Sequence, residues 1–251
     1  MNRVNAKSKF FEMFERNERP LGVFVSCMDP ASTEALADAG FDYVVLDGEH
    51  GKMGRVDVET HSRAAAARGI IPLVRILENS QTLIQAMLDS GAQGVIIPHL
   101  ETAHDAQRAL AASLYSPVGK RGMCNACYAG GYQLDSWPDH VKASNQNVLV
   151  IPLIESARAV ENIKEIVAVN GIDVVFFGPG DLAAEMGLNF TKDGDRLMDS
   201  WQRVKDAAKE AGKYTLAPRG WGFDDADILI AEMDIQMLLN AGKAIVQQYK
   251  Q

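Results

Sequence analysis

Short apolar runs rich in Val and Ile recur along this chain, each followed by a longer stretch whose apolar residues return at helical spacing. They are LGVFVS (21–26), DYVVLD (42–47), IPLVRI (71–76), GVIIP (94–98), VLVIPLIE (148–155), DVVFFG (173–178) and YTLAP (214–218). An eighth, weaker strand is expected around 234–239, with an opening helix over 8–17 and a terminal helix near 243–249. Strands that are apolar on both faces need cover on both sides, which a parallel sheet wrapped by helices provides. Eight such units in 251 residues suit a closed (β/α)8 TIM barrel of α/β class better than an open doubly wound sheet. The first run is not followed by G-x-G-x-x-G, which weakens a dinucleotide-binding alternative. With no Ser, Gly or Pro linker to divide it, the chain reads as a single domain over 1–251. A long excursion at 116–146, rich in Gly, Asn and Tyr, interrupts the rhythm, and loops of that length usually have a task.

A formal charge of −8 and a pI near 5.2 argue against a nucleic-acid or anionic-membrane surface, since either partner calls for a basic stripe. Small molecules are the expected partners. No run is long and apolar enough to span a bilayer, and the N-terminal segment is charged and helical, so a cytoplasmic location is expected. Three cysteines do not make a disulfide framework at this length. Cys124 and Cys127 have the spacing of a zinc or redox half-site, but without a second pair, reduced thiols are the simpler reading.

In a parallel barrel the C-terminal strand ends carry function, and here those ends are polar. The second run closes on Asp47, Gly48, Glu49 and His50, the third carries Arg75, the fifth ends on Glu155, and the sixth runs into Gly178, Pro179, Gly180 and Asp181. Glu155 and Asp181 fall at neighbouring strand ends, where two carboxylates repel unless a cation stands between them. A divalent ion answers this, Mg2+ or Mn2+ first for an oxygen-rich site, with Co2+ and Zn2+ also open. The plainer alternative gives each its own cation, or makes Asp181 a helix cap. Arg75 either holds a substrate carboxylate with its planar fork or pairs internally with Glu49 or Asp47. A histidine side chain can carry a proton in acid/base work, and Asp47 three positions before His50 can orient it as a base dyad. His61 and His104 are expected on helix surfaces and His140 lacks company, while His99 follows the fourth run near the mouth. The loop Ser116-Pro117-Val118-Gly119-Lys120-Arg121-Gly122 brings two cations toward the rim, where Arg121 can hold a carboxylate.

FDYVVLDGEHG, PLVRI, LDSGAQGVIIPHLETAHDA, SPVGKRG, PLIES and GIDVVFFGPGDLAAEMG together resemble the HpcH/HpaI family of metal-dependent 2-oxo acid aldolases, over residues 21–187. The resemblance implies Glu155 and Asp181 as metal ligands, Arg75 at the pyruvyl carboxylate or enolate, and His50 with Asp47 as acid/base machinery. Gln93, Gly178 and Pro179 would shape the donor pocket, with Glu49 and Arg121 beside the substrate. It also implies a trimer-of-dimers homo-hexamer whose last helix packs on a neighbouring subunit. Leu153 stands where many members have Gln, His99 where Met is common and Cys124 where Gly is common, and the Gly-Ser-Asp ending after the last strand is missing.

The expected reaction is reversible cleavage of a 4-hydroxy-2-oxo acid to pyruvate, or a close relative, and an aldehyde. In it the ion stabilises the enolate while His50 and Asp47, through water, take the 4-hydroxyl proton. A Schiff-base aldolase needs a desolvated lysine in the mouth, yet Lys52 and Lys120 lie in loops and Lys213 precedes the seventh strand at the opposite end. Two other readings remain: an acyl-CoA lyase or synthase of citrate type, and a binding protein that holds a 2-oxo acid without turnover.

Overall fold

The computed structural model describes residues 5–189 and 193–250. Eight parallel strands close into a barrel in chain order, with β8 returning to pair with β1. They are β1 (Leu21–Val25), β2 (Tyr43–Asp47), β3 (Ile71–Arg75), β4 (Gly94–Ile97), β5 (Leu149–Ile154), β6 (Val174–Phe177), β7 (Tyr214–Pro218) and β8 (Ile228–Met233). The helices of the first half are α1 (Ala6–Glu15), α2 (Ala31–Asp38), α3 (Arg55–Arg68), α4 (Gln81–Asp89), α5 (Ala103–Ser113) and α6 (Trp137–Asn147). Those of the second half are α7 (Ala157–Glu161), α8 (Ile163–Val167), α9 (Pro179–Glu185), α10 (Gly194–Glu210) and α11 (Asp234–Tyr249).

The sheet separates two apolar layers, because successive side chains along a strand point to opposite faces. Tyr43, Val45, Ile71, Leu73, Leu149 and Ile151 fill the barrel, while Val44, Leu46, Val74 and Val150 pack outward under the helices. The floor is closed by α1. Phe10 is fully buried edge-on against Tyr43 at 5.4 Å, and Phe14 stacks on Tyr214 at 4.0 Å. Burying a side chain such as Phe10 contributes roughly 1.5–3 kcal/mol, so α1 is part of the barrel's core rather than an appendage.

Four expectations need correction. The eighth strand lies at Ile228–Met233, ahead of the expected 234–239, and the terminal helix begins at Asp234 instead of near residue 243. The stretch after Met233 carries Ile235, Leu238 and Leu239 at helical spacing, whereas the true strand is an Ile-Leu-Ile core between Asp227 and Glu232. The excursion at 116–146 is not all loop, since α6 (Trp137–Asn147) occupies its last third. His61 is not on a surface: α3 turns it inward, fully buried, with Nδ1 2.8 Å from Thr33 Oγ1, and burial pushes its pKa down. In the excursion Cys127 is buried and its thiol donates to the Cys124 carbonyl at 2.9 Å. No helix among the described residues is long and apolar enough to cross a membrane.

Candidate active site

The same alternation that places Tyr43 and Val45 inside the barrel places Asp47 inside at its C-terminal end, and likewise Arg75 after Ile71 and Leu73. Register sets Asp47 directly opposite Arg75. The guanidinium grips the fully buried Asp47 carboxylate with two bonds, Nε to Oδ1 at 3.0 Å and Nη2 to Oδ2 at 2.8 Å. Its remaining nitrogen, Nη1, stands 3.2 Å from Glu49 Oε2. The ring of Phe24 lies beneath it, 4.7 Å away. Both internal partners proposed for Arg75 are therefore present, and Arg75 still borders the open cavity. Two acids on one base leave this cluster with a formal surplus of negative charge, and the fixed fork keeps the guanidinium in one orientation.

The Asp47–His50 dyad does not form as expected. Asp47 Oδ1 instead accepts the backbone N–H groups of Glu49 and His50, at 3.1 and 3.3 Å. The His50 ring is 62% exposed, and its carboxylate neighbour is Glu49, with Nε2 3.8 Å from Oε2. Sequence spacing put Asp47 within reach of His50, but the strand's inward face committed the carboxylate to Arg75.

Glu155 follows β5 and faces inward, its side chain only 3% exposed. Burial pushes its pKa up, the charges of Glu49 and Asp181 push the same way, and the His99 N–H, donated to Oε1 at 2.7 Å, opposes them. Asp181 sits in the first turn of α9 and borders the same cavity as Glu155. The backbone at residue 178 passes close to Glu155 and requires glycine there, since a Cβ would stand 2.9 Å from that of Glu155 and 3.1 Å from Leu153 Cδ1. Arg75, Glu155, Gly178, Pro179 and Asp181 line a cavity of about 460 Å³. Arg219, Trp221, Glu232, Met233 and Gln236 also line it; the sequence reading stopped at the end of β7 and misplaced β8, and so missed them.

Two expected pocket residues lie elsewhere. Gln93 precedes β4 at the floor, where its Oε1 accepts the Asn5 N–H at 2.9 Å, at the wrong end of the barrel for the donor pocket. Arg121 is buried against the Asp89 carboxylate at the end of α4, with Nη2 to Oδ1 at 2.8 Å and Tyr115 covering it at 4.5 Å. It is not among the residues that line the mouth cavity. His99, in contrast, enters the site. Its ring lies with Nδ1 3.2 Å from Glu155 Oε1 and Nε2 3.7 Å from Glu49 Oε1. The signal was its place as the polar residue just after the fourth strand.

These residues fit a divalent cation. Glu49, His99 and Glu155 each offer a donor atom, all within 4.8 Å of one another, and Glu49 Oε2 is buried without a hydrogen bond. Closed barrel, braced arginine and gathered carboxylates at the C-terminal mouth together define a (β/α)8 enzyme that handles a small anionic substrate.

Comparison with known proteins takes the assignment further. The profile of the HpcH/HpaI aldolase/citrate lyase family matches residues 20–230, and the chain belongs to that family. A hydroxypyruvate/pyruvate aldolase of Roseovarius nubinhibens is 30% identical over 240 residues, 92% of each chain. A 5-keto-4-deoxy-D-glucarate aldolase of Salmonella arizonae is 34% identical over 213 residues, 85% of this chain and 82% of the relative. Among solved structures, an HpcH/HpaI aldolase/citrate lyase family protein of Burkholderia cenocepacia superposes with a TM-score of 0.89 at 29% identity, covering 98% of this chain and 100% of the other.

Proposed function

We propose that this lyase reversibly cleaves a 4-hydroxy-2-oxo acid into pyruvate, or a close 2-oxo acid, and an aldehyde. The observation that carries the reading is the meeting of braced Arg75 with Glu155 and Asp181 on one cavity at the barrel mouth. The relative named a hydroxypyruvate/pyruvate aldolase makes pyruvate the donor to test first.

Glu155 and Asp181 are the residues proposed to hold a divalent ion, whose Lewis acidity stabilises negative charge as it develops on the donor's oxygens. A pair of carboxylates by itself suits Mg2+ or Mn2+, with Co2+ and Zn2+ open. Arg75, pre-oriented by Asp47 and Glu49, binds the donor carboxylate and costs no reorganisation during reaction. Gly178 and Pro179 shape the wall beside it. His50, exposed at the mouth beside Glu49, takes the 4-hydroxyl proton in cleavage. The C3–C4 bond then breaks, its electron pair passes to the 2-oxo acid fragment as an enolate, and protonation at C3 gives pyruvate. Synthesis reverses these steps.

The test is exchange of pyruvate methyl protons with deuterium, followed by NMR after chelation and after adding back single ions. Restored exchange is expected. Glu155→Ala and Asp181→Ala lose metal affinity and exchange together, while His50→Ala keeps metal and loses about 10²–10⁴-fold in aldol cleavage rate. Normal exchange in either carboxylate variant defeats the assignment. The family also takes in citrate lyase, so an acyl-CoA lyase or synthase is the second reading; turnover that depends on coenzyme A would favour it. Tight pyruvate binding without exchange would indicate a binding protein.

We also read the chain as one cytoplasmic domain that assembles as a homo-hexamer, a trimer of dimers. Support for assembly comes from α11, along which Leu238, Leu239, Ile245 and Val246 are exposed.

A further inference from the structure

Glu49 is held in a position that a lone carboxylate does not favour. Its side chain is only 9% exposed, and buried Oε2 accepts no hydrogen bond, although Arg75 Nη1 stands 3.2 Å away outside hydrogen-bond geometry. An anion so far from water calls for more positive charge than one shared guanidinium supplies. Across the mouth stands His99. Its backbone lies in the left-handed region at φ 52°, with the N–H on Glu155 Oε1, and its ring faces Glu155 on one side and Glu49 on the other.

The spacing matches donors that share an ion. Zinc-type ions bind nitrogen and oxygen at about 2.0–2.2 Å, so two neighbouring donors stand roughly 3.0–3.5 Å apart. His99 Nδ1 and Glu155 Oε1 are 3.2 Å apart, and one donor atom each from Glu49, His99 and Glu155 falls within 4.8 Å of the others. We infer that Glu49 and His99 share a cation with Glu155, placing one imidazole nitrogen among carboxylate oxygens. The inference rests on the metal-dependent reading above and deepens it.

The added nitrogen changes which ion the site favours. Mg2+ prefers an all-oxygen octahedron and sheds water reluctantly, so an imidazole gives it little. Co2+, Ni2+ and Zn2+ take imidazole readily. His99 therefore biases the site toward these ions, with Mn2+ between the two groups. A ring that merely bridges two carboxylates by hydrogen bonds would give no such selectivity.

The experiment uses the full chain stripped with a chelator. Mn2+-loaded protein is examined by pulsed EPR for coupling to 14N, and Co2+ and Mg2+ affinities are measured separately by calorimetry. Imidazole nitrogen coupling is expected in the unmodified protein and is lost in His99→Met. The same change weakens Co2+ by at least the ~10–100-fold that loss of even an outer-shell partner costs, and leaves Mg2+ affinity unchanged. Glu49→Gln weakens both ions. No nitrogen coupling in the unmodified protein overturns the inference whether or not the variants fold. Coupling that survives in folded His99→Met overturns it as well, as do equal losses for Co2+ and Mg2+; unaltered metal binding in Glu49→Gln removes Glu49 from the set. None of these measurements needs turnover, so failed pyruvate exchange beside intact nitrogen coupling would reject the aldolase reading and keep the ligand set.

Discussion

Two buried arginines show how far residue type alone leads and where it stops. Arg75 and Arg121 each pair with a buried aspartate, yet Arg75 opens on the mouth cavity while Arg121 is sealed behind Tyr115, its side chain 1% exposed. Breaking a buried pair on one side leaves the partner's charge stranded, at a cost of about 3–5 kcal/mol. Arg121→Met should therefore lower the urea-unfolding free energy by about that amount while folded molecules keep pyruvate exchange. Arg75→Met should lose exchange even where it folds. Loss of exchange in folded Arg121→Met would return that arginine to the pocket. From sequence the two were inseparable, because a loop arginine among glycines resembles an anion site as readily as a strand arginine does. Strand-end position pointed to Asp47, Arg75 and Glu155, and the structure sets all three inward at the barrel mouth because alternation along a strand is a local rule. It could not tell that Asp47 would bond Arg75 rather than the His50 ring, because that partner comes from the next strand.

At the scale of elements, seven strands were legible because each is a near-continuous apolar run ending in a polar turn. The eighth was not. Its short apolar core runs directly into a helix at Asp234, and the change of period falls inside one apolar stretch. Asp234 itself secures this junction to the end of β1. Its carboxylate accepts the Ser26 N–H at 3.0 Å, the Ser26 hydroxyl at 2.9 Å and the Cys27 N–H at 3.0 Å. Burial pushes its pKa up, but these donors outweigh burial and hold it below the usual 3.8. Because the folded-state value is depressed, the unfolded chain binds protons first as pH falls. The stabilisation is thus present above 3.8 and is lost as pH drops through the folded value. Asp234→Asn should cost ~1–3 kcal/mol at pH 7, in the range of charge-assisted hydrogen bonds. The gap between variant and parent should narrow in urea titrations repeated near pH 3. A gap of equal size at both pH values would mean that the ionised carboxylate is not what holds the junction.

Over the whole molecule, an exposed apolar stripe runs along the terminal helix. Along α11, Ile235, Leu238, Leu239, Ile245, Val246 and Tyr249 recur at three- and four-residue spacing, each at least 49% exposed. A stripe of this length on a free monomer is unusual, and its helical period fits a partner laid along it. A second copy of the chain is the partner that the hexamer reading requires. The same helix starts at the site: Met233 and Gln236 line the mouth cavity, so whatever fixes α11 also fixes that wall. On the hexamer reading, assembly and catalysis would be coupled through this one element. Leu239→Lys with Val246→Lys should convert an oligomer into a 27.4 kDa monomer in sedimentation equilibrium. Far-UV circular dichroism should be retained, because these side chains leave the barrel core untouched. Metal binding, held by side chains of the barrel mouth, should persist in the monomer, while aldol turnover falls because the wall carrying Met233 and Gln236 loses its support. A parent protein that sediments as a monomer would remove the hexamer reading, and full turnover in a monomeric variant would uncouple assembly from the site.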